Sequence, residues 1–340
     1  MQLKNAIGFV LASTCCLAIS TGVQAQDIQE RNIKFGTINN TDHPISFGVK
    51  KFAELVAAKS GGKMKVREFP NSTLGSDMQQ QSAMQGGVQE MSVPATTSLV
   101  GIVKEYGLLD FPFSAANYGQ ADSVRDGPLG QALSAKLPAH GLISLGYWDL
   151  GFRNVTNSKR PITRVEDLQG LKLRVIPNEV FLATFKAFGA NPVPMAIGEV
   201  YTAMETKTID GQENPFSVIL SNKFFEVQKY VSATNHVYGA NIILVSKMFW
   251  DKLSPTEKKI MQDSAKEAIA YERTLVRAAA VKAVADLQAA GMQYNTLAPA
   301  EQAKMAAIAK GVTDKFAANY DPAIVKLYNE ETAKARKLYP

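Results

Sequence analysis

"SPTEKKIMQDSAKEAIAYERTLVRAAAVKAVADLQAAG", residues 254–291, sets the scale of the fold. Ser254 and Glu257 stand at capping-box spacing, Pro255 occupies the first helical position, and no glycine or proline follows before Gly291. At about 1.5 Å per residue such a helix is over about 50 Å long, more than one small domain can cover. It is expected to span two domains or to bend between them.

The segments around it alternate strand and helix. "NIKFGTI" reads as a strand; "ISFGVKKFAELVAAKSGG" is a helix with Val49, Phe52, Ala53 and Val56 at helical spacing and Gly61–Gly62 as its stop. "KMKVREF" is a strand, "SDMQQQSAMQ" a helix with Ser76 and Gln79 in a capping-box pattern, and "EMSVPA" a strand. This βαβαβ order predicts a parallel sheet with helices on both faces. After a helical stretch, "GLISLGYWDLGFRNVTN" reads as two strand runs parted at Leu150–Gly151, where the chain is expected to cross between domains. "LKLRVIP", "NEVFLATFKAFG", "NPVPMA" and "GEVYTAMETKTIDG" repeat the α/β order, and strands in "KYVSATNH" and "ANIILVSK" lead back. The expected division is residues 26–150 with 240–279 in one α/β domain and residues 151–239 with 280–340 in the other. Two α/β domains braced by one long helix make a hinged clamp, and small ligands bind in the cleft of such a clamp.

The N-terminus addresses compartment. After Lys4, "AIGFVLASTCCLAIS" is too short to span a bilayer, and "TGVQAQ" supplies Val23 and Ala25 as the small residues before a cleavage point. Residues 1–25 are read as a secretory signal, and the mature protein is expected in the periplasm. Both cysteines, Cys15 and Cys16, fall inside that segment, so the mature chain has no disulfide, thiolate metal site or cysteine nucleophile. The net charge of +6 suits an anionic small ligand but is equally common as surface charge. Basic residues are scattered without a run or interleaved aromatics, which argues against nucleic acid.

Enzyme motifs are missing: no Gly-rich phosphate loop, no zinc-protease His pair, no nucleophile elbow. His43, His140 and His236 stand far apart, so no metal and no cofactor is expected. What stands out is polar groups in apolar settings. In "LKLRVIPN" Leu171, Leu173 and Val175 share one strand face, yet Arg174 sits among them; Arg153 in "GFRNVTN" and Asn214 in "DGQENP" are similar. A buried guanidinium needs an acceptor. Two arginines and a carboxamide can hold a ligand carboxylate, and each arginine could instead pair with a protein acid such as Glu179, Glu199 or Glu213.

"GFRNVTN", "EDLQGLKLRVIPN", "GANPVPMAIGEVYTAMETKTIDGQENP" and "TNH", with "KFAELVAAKSGGKMKVREFPNSTLGS" upstream, resemble in order and spacing the solute-binding proteins of tripartite ATP-independent periplasmic (TRAP) transporters. The resemblance covers most of the chain after residue 25. It implies a non-enzymatic periplasmic receptor that closes around an organic-acid anion and delivers it to membrane permease subunits driven by an ion gradient. By the same resemblance Arg174 clamps the substrate carboxylate, Arg153 is the second cleft arginine, and Asn214 completes the anion site. Asn178 matches a position that often reaches the ligand, and also reads as the N-cap of the next helix. His236 matches a histidine near the cleft. Compared with the sialic-acid-binding branch, "VPATTSLV" lacks an acid, with Ala95 and Ser98 in the places of charged residues, and Ile197 replaces an aromatic. A large polyhydroxylated sugar acid is therefore disfavoured, and dicarboxylates, 2-oxo or 2-hydroxy acids and aromatic acids are the expected candidates. Trp148 could stack on such a ligand or belong to the core. Alternatives are a periplasmic enzyme using His236 as base, or a receptor for a sensor kinase. The C-terminal helix, "DPAIVKLYNEETAKARKLYP", is expected to pack on the second domain and leave the protein a monomer.

Overall fold

The computed structural model describes residues 28–340. The signal segment read in residues 1–25 lies outside them. Strand β1 (Arg31–Gly36), helix α1 (Pro44–Lys59), β2 (Met64–Phe69), α2 (Asp77–Gln85) and β3 (Met91–Ser92) follow the βαβαβ order, with β2 and β3 both parallel to β1. In α2 the Ser76 side chain accepts from the Gln79 N–H while the Gln79 side chain accepts from the Ser76 N–H, closing the capping box. The helical stretch after β3 is broken at Gly127–Pro128 into α3 (Tyr118–Asp126) and α4 (Pro128–Ser134).

Strand β4 (Leu142–Asn157) departs from the expected pair of strands. It is one strand of 16 residues, with register shifts between Ser144 and Gly146 and between Asp149 and Gly151. Gly146 and Gly151 take φ of 125° and 114°, a region that side chains strongly disfavour. The bulges re-aim the strand without ending it. Up to Phe152 it pairs antiparallel with β9 (Tyr238–Ser246); from Arg153 onward it pairs with β7 (Gly211–Pro215) and β8 (Tyr230–Ala233). The strand order is β2-β1-β3-β9-β4-β7-β5-β6, with β5 (Lys172–Val175) and β6 (Asn191–Pro194) parallel at the far edge and β10 (Gln293–Thr296) beside β8. Helices α5 (Glu179–Ala187), α6 (Ile197–Glu205) and α7 (Phe216–Ser221) complete the second half.

After the short α8 (Lys247–Trp250), helix α9 (Pro255–Ala289) runs 35 residues, about 52 Å. It buries Ile260, Met261, Ala265 and Ala268 with Phe35, Phe52 and Trp148 in the first domain's core, and Leu287 with Val200, Met204 and Phe224 in a core of the second. The brace across both domains is therefore observed directly. The last two helices divide between the domains. In α10 (Pro299–Ala317) Met305 and Ala309 enter the second-domain core beside Phe181 and Phe185. In α11 (Pro322–Leu338) Ala335 joins Leu129, Leu133 and Tyr147 of the first domain, with Ile324, Leu327 and Tyr328 packed at its border. The C-terminal segment thus returns to the first domain, a correction to the expected range 280–340, because its apolar stripe fits the surface left by α3 and α4.

Candidate binding site

A cleft of about 310 Å³ lies between the halves, lined by residues following β1, the start of α2, the turn after β3, and β4, β5, β7 and α6. Arg174 arrives from β5 and is 3 % exposed. Its Nε and Nη2 both donate to the carbonyl of Met195, at 2.9 and 2.6 Å. Among the described residues no carboxylate forms an ion pair with it. Burial lowers its pKa to about 10, opposed by the more distant charges of Glu213, Asp77 and Glu199, so it stays cationic at neutral pH. A permanent charge held by one carbonyl is incompletely satisfied.

Arg153 is placed beside it by β4 and is differently served. The β4–β7 register sets Arg153 opposite Pro215, so its guanidinium reaches Glu213 and Asn214. Nε donates to Glu213 Oε2 at 2.5 Å, while Nη2 donates to Glu213 Oε1 at 2.8 Å, to the Glu213 carbonyl at 2.7 Å and to Asn214 Oδ1 at 3.0 Å. Burial pushes the Glu213 carboxyl up, but Arg153 and His236 outweigh it and hold the pKa below the usual glutamate value. His236 Nε2 lies 3.1 Å from Glu213 Oε2 and its Nδ1 2.8 Å from Thr234 Oγ1. Burial lowers the histidine's pKa despite Glu213, so the ring is neutral and donates from Nε2. The row Arg153–Glu213–His236 is a neutralised strut behind the cleft wall.

Residues 35–319 match the model of the bacterial extracellular solute-binding protein family 7. The chain belongs to this family. The sugar acid binding protein of Advenella mimigardefordensis, solved with galactonate, superposes with a TM-score of 0.89 at 39% identity, covering 91% of this chain and 100% of that one. The 2,3-diketo-L-gulonate-binding periplasmic protein of Escherichia coli is 38% identical over 78% of this chain and 81% of its own. The C4-dicarboxylate-binding periplasmic protein of Rhodobacter capsulatus is 31% identical over 93% of this chain and 95% of its own. Members of the family are periplasmic substrate-binding receptors, and this chain has their two-domain α/β clamp.

In this solute-binding protein Arg174, Arg153 and Asn214 come together on the cleft wall. The other three candidates do not line it. Asn178 is the N-cap of α5: Oδ1 accepts from Val180 N at 2.7 Å, and Nδ2 donates to Thr97 O and Asp110 Oδ2. It ties α5 to the segment after β3. Trp148 is fully buried against Phe35, with ring centroids 6.4 Å apart, so the core reading describes it. His236 sits behind Glu213. What the sequence reading missed is the first-domain wall: Asn39, Ser72, Asp77, Gln79 and Asn241. An acid on that wall is Asp77 of α2, whose Oδ2 accepts from the Ala95 N–H at 3.2 Å. At the first position of a capped helix an aspartate is accounted for by the helix dipole, so nothing in the sequence marks it as a cleft residue. Among the described residues no helix is long and apolar enough to cross a membrane, and no group of three or more His, Cys, Asp or Glu is placed to hold a metal ion.

Proposed function

We propose that this protein is the extracytoplasmic receptor of a TRAP transporter, which captures an organic-acid anion in the cleft and hands it to the membrane permease without altering it. The observation that carries the reading is Arg174, a buried cation with a carbonyl for company and, among the described residues, no carboxylate partner. A ligand carboxylate would supply the missing counter-charge through two parallel hydrogen bonds. Arg153 commits Nε and Nη2 to Glu213 and Asn214, which fixes the plane of its guanidinium and leaves Nη1 for the same anion. Relatives named for C4-dicarboxylate and diketogulonate, and one solved with galactonate, support a carboxylate as the shared ligand group. The enzyme reading loses its base, since His236 has both ring nitrogens engaged and lies off the cleft. The return of α11 onto its own first domain supports a monomer.

Incubation of the purified protein with a mixed organic-acid pool, followed by mass spectrometry of what stays bound, tests the proposal. One intact carboxylic acid retained near one per chain is expected. Conversion of a pool component, or retention of none, would contradict it.

A further inference from the structure

The charges of the cleft indicate which acid it accepts, an inference that rests on the receptor reading above. Four charged side chains line the cleft: Arg153, Arg174, Asp77 and Glu199. Arg153 is already neutralised by Glu213, in a pair that is almost wholly buried, and His236 behind it is uncharged. Among the described residues Arg174 is therefore the one cation on the wall without a carboxylate partner, and the same cleft holds two carboxylates. The first carboxylate of a ligand satisfies it. A second carboxylate would enter a cleft with no cation left and with Asp77 on the opposite wall, and unpaired like charges in a water-poor site repel strongly.

The same wall suits hydroxyl groups. Asp77 Oδ2 accepts from Ala95 N, while Oδ1 has no hydrogen-bond partner among the described residues. Asn241 donates through Nδ2 to the Val93 carbonyl at 3.0 Å, and its Oδ1 is a buried acceptor with no donor among the described residues. Ser72, Gln79 and Asn39 add neutral polar atoms nearby. Acceptors in want of donors match a polyol chain. An ionised second carboxylate brings only further acceptors.

We infer that the ligand is a polyhydroxylated monocarboxylate of the aldonate class, with its carboxylate on Arg174 and hydroxyls on Asp77, and that Asp77 excludes dicarboxylates. This reverses the expectation drawn from "VPATTSLV", because α2 supplies an acid to the cleft wall. Burial pushes the Asp77 carboxyl up to about 7, against the Ala95 N–H and the charge of Arg174. Arg174 and Glu199 face the same cleft, and Arg153 is held by Glu213. Protonation of Asp77 should therefore relax the exclusion within an accessible pH range.

Calorimetric titration of the full chain with D-galactonate, D-gluconate, succinate and L-malate provides the test, with Asp77→Asn as the variant and an apo thermal melt as its folding control. At about pH 8, where Asp77 is mostly ionised, wild type should bind an aldonate about 10-fold more tightly than either dicarboxylate, a factor that one charge-assisted hydrogen bond supplies. Asp77→Asn should narrow that ratio by about 10-fold or more from both sides. From about pH 8 to about pH 6 the dicarboxylate affinity should rise in wild type relative to the variant, and the ligand's own titration cancels in that comparison. Should Asp77→Asn fold poorly, the wild-type ratio at about pH 8 decides. Dicarboxylate binding equal to or tighter than aldonate binding, or a ratio indifferent to Asp77, overturns the inference and leaves the receptor reading intact. Binding of neither class by a protein that retains another intact acid also overturns only the inference. Binding of neither by a protein that retains no acid at all brings down the receptor reading itself.

Discussion

At the scale of single residues, the two arginines of the cleft wall are served differently. Arg153 and Glu213 satisfy one another, and such pairs fix geometry more than they stabilise, since desolvation offsets most of the attraction. Arg174 is left over. That distinction was half legible. An arginine between Leu173 and Val175 announces a buried charge from sequence alone, but whether a given arginine meets an acid depends on strand register. Only the pairing of Val155 with Glu213 across β4 and β7 shows that Arg153, not Arg174, takes that acid. His43 provides a separate residue-scale prediction. It is fully buried, caps α1 by accepting from Ile45 N, and lies 3.2 Å from Ser217 Oγ. Burial lowers its pKa from 6.5 to about 3. The unfolded chain therefore binds the proton first: the stability contributed by neutral His43 is present above about pH 6.5 and is lost as pH falls toward about 3, at up to about 1.4 kcal/mol per pH unit. His43→Asn keeps a capping side chain without the titration. Melts of the ligand-free proteins should show the variant's Tm falling less than wild type's as the buffer is acidified below about pH 6. Parallel curves would remove His43 as a source of acid sensitivity.

At the scale of elements, the signals that survived translation from sequence were local. Ser76 with Gln79 and Ser254 with Glu257 were readable as helix starts because a capping box needs only four consecutive residues, and both are formed. Less legible were features decided by what an element meets. Strand β4 looked like two strands because Gly151 reads as a stop; positive φ at Gly146 and Gly151 instead lets the strand bend and continue. Helix α11 was recognisable as amphipathic, but its sequence does not say which domain offers a matching apolar surface. The α9 cap gives the element-scale prediction. Ser254 Oγ accepts from Glu257 N at 3.1 Å, neither residue lines the cleft, and Glu257 also pairs with Arg31 of β1. Ser254→Ala should cost about 1 kcal/mol in urea unfolding, the usual value of an N-cap, and leave ligand affinity within about twofold. A larger change in affinity would mean that the start of α9 takes part in binding, which the geometry does not provide for.

At the scale of the whole molecule, three features of the described residues belong together: two α/β halves linked by the bent strand β4 and by β9, a helix of 35 residues anchored in the cores of both, and a cleft between the halves with Arg174, a cation without a carboxylate partner, on its wall. The clamp architecture was legible because the length of an uninterrupted helix and the repeat of the α/β order are properties of the chain itself. The first-domain wall was not, because Asn39, Asp77 and Asn241 are far apart in sequence and only the fold gathers them. On the receptor reading, the partner of Arg174 is a ligand. Calorimetric titration of Arg174→Ala with the acid retained by wild type, alongside melts of both apo proteins, tests it most directly. Removing the main counter-charge of a carboxylate in a dehydrated cleft typically costs about 2 to 5 kcal/mol, so affinity should fall by roughly thirty-fold to several thousand-fold. The apo melting temperature should hold or rise, since an incompletely satisfied buried charge is gone. Near-normal affinity in a variant whose apo fold is damaged would show that Arg174 serves the fold and not the ligand, and would contradict the account.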